Sequence, residues 1–178
     1  ANKYPNKISL TGKVITVISR EQLEKSGGKD LSQLLTEQAG VFISGANSNS
    51  GKDKSLYLRG GYVSHTLITI DGIPVYDPSG IGGNFDIRNL AVGNIERIEI
   101  LKGSQSTLYG SDAIAGVINI ITRKTTKESV GGNARLSYGS NETVRTNAGI
   151  NGKKGMVDYN ASYSLHHTKG INEAINNN

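Results

Sequence analysis

The chain has 178 residues, 20 Lys and Arg against 15 Asp and Glu, 23 Gly, three Pro and no Cys or Trp, with a formal net charge of +5. That length fits one domain with part of another, and the absence of cysteine excludes a disulfide framework, a thiolate metal site and a Cys nucleophile. The basic charge is scattered, its one dense stretch being Arg123, Lys124 and Lys127 ahead of Glu128; with no RNP-like aromatic motif beside it, no nucleic-acid partner is expected.

Val14, Ile15, Val17 and Ile18 form a short strand, and Ser19 with Gln22 three residues on makes a capping box that starts a helix. Leu31, Leu34 and Leu35 lie on one helical face, predicting a second helix from Asp30 to about Gln38 with Gly40 as its C′ glycine. Val41 to Ser44 follows as a strand. Gly45 to Lys54 is almost wholly Gly, Asn, Ser and charge, so this loop is expected to be exposed and mobile. Leu56 and Leu58 alternate with polar neighbours. Leu67 to Ile70 then ends at Asp71-Gly72, a type I′ hairpin dipeptide, with Ile73, Val75 and Tyr76 as the returning arm. A second polar loop spans Asp77 to Asn84.

Ile87 and Leu90 predict a helical turn, and Ile95 to Ile100 alternates as a strand with one charged face. Ser104 to Tyr109 reads as a further helical turn, and Ala115 to Thr122 as a strand buried on both faces. No uncharged apolar stretch is long enough for a spanning helix, since Ala113 to Thr122 is about half the length needed. The fold class to this point is α+β.

After Lys127 the pattern becomes period two. Ala134, Leu136 and Tyr138 share a face, as do Val144, Thr146, Ala148 and Ile150, and Val157, Tyr159, Ala161, Tyr163 and Leu165. Turns at 139–142 and 151–155 join these strands into an antiparallel meander. One reading is a half-solvated sheet packed on the preceding domain; the other is the start of a transmembrane barrel, which three strands cannot close.

The chemistry-bearing motifs fail one after another. Gly45 to Asp53 has five residues between its glycines where a P-loop has four, and Asp53 stands in the Ser/Thr position. His65, His166 and His167 are too few and wrongly spaced for a metal site. Asp77, Asn84 and Asp86 lack calcium-loop spacing. Gly103-Ser104-Gln105-Ser106-Thr107 has no second glycine for a nucleophile elbow. No catalytic residue, metal or cofactor is expected, and the chain does not read as an enzyme.

Five segments in order carry a resemblance: Leu58-Arg59-Gly60, Thr69 to Val75, Ile95 to Gly103, Leu108-Tyr109-Gly110, and Ala115 to Thr122. Together they resemble the plug domain of TonB-dependent outer-membrane receptors, over about Val14 to Lys124. In that family the plug is followed directly by barrel strands, so the resemblance implies a small mixed-sheet plug at 1–125 and the first strands of a truncated transmembrane barrel at 126–178. The opening Ala1-Asn2-Lys3, Val63-Ser64-His65, Tyr109 to Ile114 and the His-containing third strand are closest to vitamin B12 (cobalamin) receptors.

The resemblance implies a transport receptor of the bacterial outer membrane. Its partners would be an extracellular small-molecule ligand, cobalamin or another metal chelate, together with its own barrel and TonB. Ferric-siderophore or haem uptake is the alternative within the family. The TonB-binding segment would lie upstream of Ala1. Ser48, Asn49, Ser50, Asp77, Ser79 and Ile81 on the two polar loops would contact ligand. Arg59 and Lys102 would pair with acidic barrel residues or, without them, be solvated or paired with Glu96 or Glu99. A soluble periplasmic or secreted binding module is the alternative of another class, separable by whether the apolar stripes of the last three strands are covered or exposed.

Overall fold

A computed structural model describes residues 14–49, 51–79, 83–124 and 129–170. The chain divides into two compact units, one of Ala1–Ala46 with Asp53–Arg123 and the other of Asn47–Lys52 with Lys124–Asn178.

The first unit is built on a five-stranded sheet of β1 (Val14–Ile18), β6 (Ile95–Lys102), β7 (Gly116–Thr122), β4 (Thr66–Ile70) and β5 (Ile73–Pro74), in that spatial order. The β4–β7 pair is parallel and every other pair antiparallel. Central β7 is buried from Gly116 to Ile120 and apolar there except at Asn119, since both of its faces are covered. Ile118 and Ile120 pack in a cluster with Leu23, Leu34, Leu35, Ile43 and Leu58, while Val117 meets Leu67, Leu101 and Ala113 in another.

Two short helices precede this sheet's second strand, and both begin in capping boxes. In α1 (Arg20–Glu24), Ser19 Oγ accepts from Gln22 N, and Gln22 Oε1 accepts from Ser19 N at 2.8 Å. Arg20 Nη1 then donates to the Ile95 carbonyl at 2.7 Å, fastening α1 to the start of β6. In α2 (Leu31–Thr36), Asp30 and Gln33 make the same exchange, and Leu31, Leu34 and Leu35 are buried. The hairpin of β2 (Val41–Ser44) and β3 (Ser55–Leu58) turns Val41, Ile43, Leu56 and Leu58 inward. Phe42 and Tyr57 face outward with ring centroids 5.9 Å apart.

The β4–β5 turn is the predicted type I′, with φ of 52° at Asp71 and 83° at Gly72. Its carboxylate reaches back across the sheet: Asp71 Oδ1 accepts from Thr122 N at 3.0 Å, and Oδ2 from Thr122 Oγ1 at 2.6 Å. A polar seam crosses the core beside it. Asn119 Oδ1 accepts from Thr69 Oγ1 (2.8 Å) and Gly72 N (3.3 Å), and its amide donates to Glu99 Oε2 (3.3 Å). Gly116 cannot be another residue here, since a Cβ would stand 2.2 Å from the Leu101 carbonyl oxygen and 2.5 Å from Leu58 Cδ2.

Several expectations shift. Helix α2 ends at Thr36 with Glu37 as its cap, so Gly40 is not its C′ residue and instead leads into β2. Strand β5 stops at Pro74, and only the Val75 N–H to Ile68 carbonyl bond continues the arm. Alternation in β6 is broken by a register shift between Ile95 and Arg97, which is why Ile95, Ile98 and Ile100 are all buried. The loop from Gly45 is not wholly exposed: Ala46 is buried, and Lys54 Nζ donates to the Gly45 carbonyl.

In the second unit β8 (Ser129–Gly139), β9 (Thr143–Lys154) and β10 (Val157–His167) form the predicted antiparallel meander. The second turn is tighter than the five residues expected, because β9 runs on through Lys154, which pairs with Val157 across Gly155-Met156. Register stacks Ala134, Ala148 and Tyr163 in one row and Leu136, Thr146 and Leu165 in the next. Asn133, Asn147 and Ser164 link by side-chain hydrogen bonds on the polar face. The apolar face is exposed, with Leu136 at 74% and Tyr163 at 65%.

Candidate functional site

Asp77 opens the second polar loop and also ties it. Its Oδ1 accepts from Ser79 N (2.9 Å) and Ser79 Oγ (2.6 Å), and its own N–H donates to the Gly83 carbonyl (3.1 Å). The two predicted ligand residues are thus bonded to each other at the loop's start, while exposed Ser79 keeps its hydroxyl oxygen as an acceptor. Ser48 and Asn49 are half-buried in the other loop, where the Asn49 carbonyl accepts from Lys52 N. Ser50 and Ile81 lie outside the described residues.

Arg59 is exposed and held at φ 53°, a left-handed conformation uncommon for a non-glycine residue. Its N–H donates to the Gly40 carbonyl at 2.7 Å, and its Nη1 lies 3.4 Å from the point where a Gly103 Cβ would stand. The guanidinium is thus brought to the end of β6, next to half-buried Lys102. Neither cation pairs with a carboxylate among the described residues. Of the two arrangements expected without a barrel, solvated or paired with Glu96 or Glu99, the pairing with Glu99 is not formed, since Glu99 takes Arg97 Nε at 2.9 Å. Burial pushes the Glu99 carboxyl upward, but hydrogen bonds from Arg97 and Asn119, among others, leave it below its ordinary value.

Two features escaped sequence reasoning. In the first, Arg88 joins Asp86 and Asp53. Hydrogen bonding from Arg88 holds the Asp86 carboxyl below the usual carboxylate range in spite of burial. The signal was the close Asp86-x-Arg88 spacing, but nothing pointed to Asp53.

The second is a cavity of about 160 Å³ between the start of β4, the residues after β5 and the segment after Gly83. Leu56, Ile68 and Phe85 line its apolar part, and Lys54, Asn84 and Asp112 its polar part. Tyr76 donates its phenol to Asp112 Oδ2 at 3.3 Å, and burial together with the Asp112 charge raises its pKa. Thr66 is among the residues around the same cavity, and its hydroxyl is the one buried side-chain polar atom without a partner among the described residues. These residues come from five separate segments, so no local pattern could announce them. No group of His, Cys, Asp and Glu suited to a metal ion occurs among the described residues.

The profile of the TonB-dependent receptor plug domain matches residues 7–117. Among solved structures, a ferric enterobactin receptor from Pseudomonas aeruginosa, determined with enterobactin, is 26% identical with a TM-score of 0.66, covering 86% of this chain and 24% of that one. The siderophore receptor PirA from Acinetobacter baumannii is 28% identical with a TM-score of 0.62, covering 85% and 24%. The ferric yersiniabactin uptake receptor FyuA from Yersinia pestis shares the fold at 24% identity and a TM-score of 0.63, covering 90% and 24%. The likeness takes in the mixed-sheet unit and the antiparallel strands after it, and this chain spans about a quarter of each receptor's length.

Proposed function

The chain belongs to the TonB-dependent receptor plug domain family, and on that premise we propose that it is the plug and first barrel strands of an outer-membrane receptor for an extracellular ferric siderophore. The observation carrying this reading is 26–28% identity, over most of the chain, to receptors whose names specify ferric enterobactin or a siderophore. That favours the siderophore alternative over cobalamin, whose resemblance rested on short segments. The exposed apolar face of β8, β9 and β10 supports strands made for a bilayer.

In this reading residues 1–125 form the plug and 126–178 enter the barrel wall. The plug blocks the barrel, and Ser48, Asn49, Ser50, Asp77, Ser79 and Ile81 meet ligand from outside. Arg59 and Lys102 stand ready for acidic residues of the wall. In a closed barrel such pairs would be shielded from solvent. Ligand binding shifts the plug toward a state in which a segment before Ala1 adds as a strand to TonB, and energy from that coupling opens the path. The family is one of receptors rather than enzymes.

The test is uptake of radiolabelled iron by cells expressing the intact receptor. Siderophore-dependent accumulation that disappears in cells lacking TonB is the expected result. Uptake indifferent to TonB would overturn the reading.

A further inference from the structure

We infer that Gly170, in the segment after β10, is a positioning residue for Asn49 of the first polar loop, a role that rests on the receptor reading above, in which Asn49 meets the ligand. The tip of that loop, Asn47–Lys52, belongs to the same compact unit as β8, β9 and β10. Its backbone turns at Asn49, whose carbonyl accepts from Lys52 N at 3.0 Å. A Cβ on Gly170 would stand 2.8 Å from Asn49 Oδ1 and 3.7 Å from its Cγ. The half-buried Asn49 carboxamide therefore occupies the room that a side chain at residue 170 would need. Gly170 also has a φ of 71°. Asn and Asp tolerate that left-handed conformation as well, so backbone conformation alone leaves them open, and it is the seat for Asn49 that excludes them.

The seat is fixed from its other side. Gly170 N donates to Thr168 Oγ1 at 3.0 Å, and that oxygen lies 2.8 Å from Thr143 Oγ1 at the start of β9. Lys169 N donates to the Asn141 carbonyl at 2.9 Å, and Lys169 Nζ pairs with Glu142. Residues 168–170 are thereby fastened to the β8–β9 turn, where Asn141 and Glu142 both take positive φ. Asn49 rests on a bracket made by two strand ends. An unrestrained asparagine side chain samples several rotamers, and holding it in one before the ligand arrives removes part of the ordering cost of binding. A methyl group on Gly170 would displace the carboxamide and restore that cost.

The experiment compares the intact wild-type receptor in detergent with Gly170→Ala, Asn49→Ala and the double variant, by calorimetry with whichever of ferric enterobactin and ferric yersiniabactin the wild type binds. Gly170→Ala is expected to weaken binding about fivefold or more and Asn49→Ala by a similar factor. The double variant should bind no more weakly than Asn49→Ala alone, because the methyl group then has no carboxamide to displace. Affinity unchanged by Gly170→Ala, or losses that multiply in the double variant, would overturn the role, since backbone strain alone acts whatever stands at residue 49. If Gly170→Ala does not fold, Thr168→Val releases the Gly170 N–H without crowding Asn49, and it too should weaken binding only where Asn49 is present. A readout without ligand separates the two levels. Amide hydrogen exchange at Lys52, whose N–H bonds to Asn49, should be about threefold faster or more in Gly170→Ala. Faster exchange in a receptor that binds no ferric siderophore removes the receptor reading and leaves the seat, whereas unchanged exchange removes the seat alone.

Discussion

Arg88 Nη2 lies 2.9 Å from Asp53 Oδ1, joining the end of the β2–β3 loop to the turn that follows the second polar loop. The same nitrogen lies 2.8 Å from Asp86 Oδ2, so one guanidinium braces both loop ends. The Asp53 side chain is 93% exposed, and such a pair contributes at most about 1 kcal/mol. Because it removes the Asp86 pair as well, Arg88→Gln should lower fold stability by about 1–2 kcal/mol in urea unfolding, and weaken ferric-siderophore binding severalfold in calorimetry by loosening the loop ends. A loss of stability well beyond that, or unchanged affinity, would show that the brace has another role.

The depressed carboxyl of Asp86 sets a pH dependence. Its folded pKa lies below the unfolded one because Arg88 hydrogen-bonds the ionised form. Its contribution to stability is therefore fully present above the ordinary carboxylate range and is lost as pH falls through the lower, folded value. Urea midpoints should decline from about pH 5 downward, and Arg88→Gln should make that decline shallower. Parallel profiles for the two proteins would sever the link to Arg88.

Asn119 is buried and bonds to β4, the β4–β5 turn and β6 together. Asn119→Ala would leave the fully buried Thr69 hydroxyl without its acceptor, at a cost of about 2–3 kcal/mol. The loss should appear as a lower unfolding midpoint at unchanged m-value. A change under about 0.5 kcal/mol would mean that water replaces the amide.

Leu136 and Ser137 are neighbours on opposite faces of β8. If the apolar face meets lipid, Leu136→Arg should cost about 2–4 kcal/mol near the bilayer midplane, while Ser137→Arg on the polar face is tolerated. Folding yield into lipid vesicles, read by heat-modifiable gel mobility, distinguishes the two. Equal yields would contradict a lipid-facing Leu136.

Much of the fold was legible because local chemistry dictated it. The capping box at Ser19, the Asp71-Gly72 turn and the twofold alternation of β8, β9 and β10 each depend on residues a few positions apart. Legibility failed where distant groups decide. The bulge that breaks the β6 alternation depends on pairing with Thr122 and Ile121, and the turn after β9 was misplaced because Asn151 and Gly152 have turn chemistry but pair in the ladder. The site divides the same way. Composition and resemblance could only nominate the two loops and Arg59 as candidates, whereas the Arg88 brace and the cavity beside Thr66 exist only once β3, β4 and the segment after Gly83 are folded together.

The central claim is tested most directly by calorimetric titration of the intact, detergent-solubilised receptor with ferric enterobactin, ferric yersiniabactin, haem and cyanocobalamin in parallel. Saturable binding of a ferric siderophore, with none of cyanocobalamin, is the predicted result; binding of cyanocobalamin alone, or of none of the four, would contradict it.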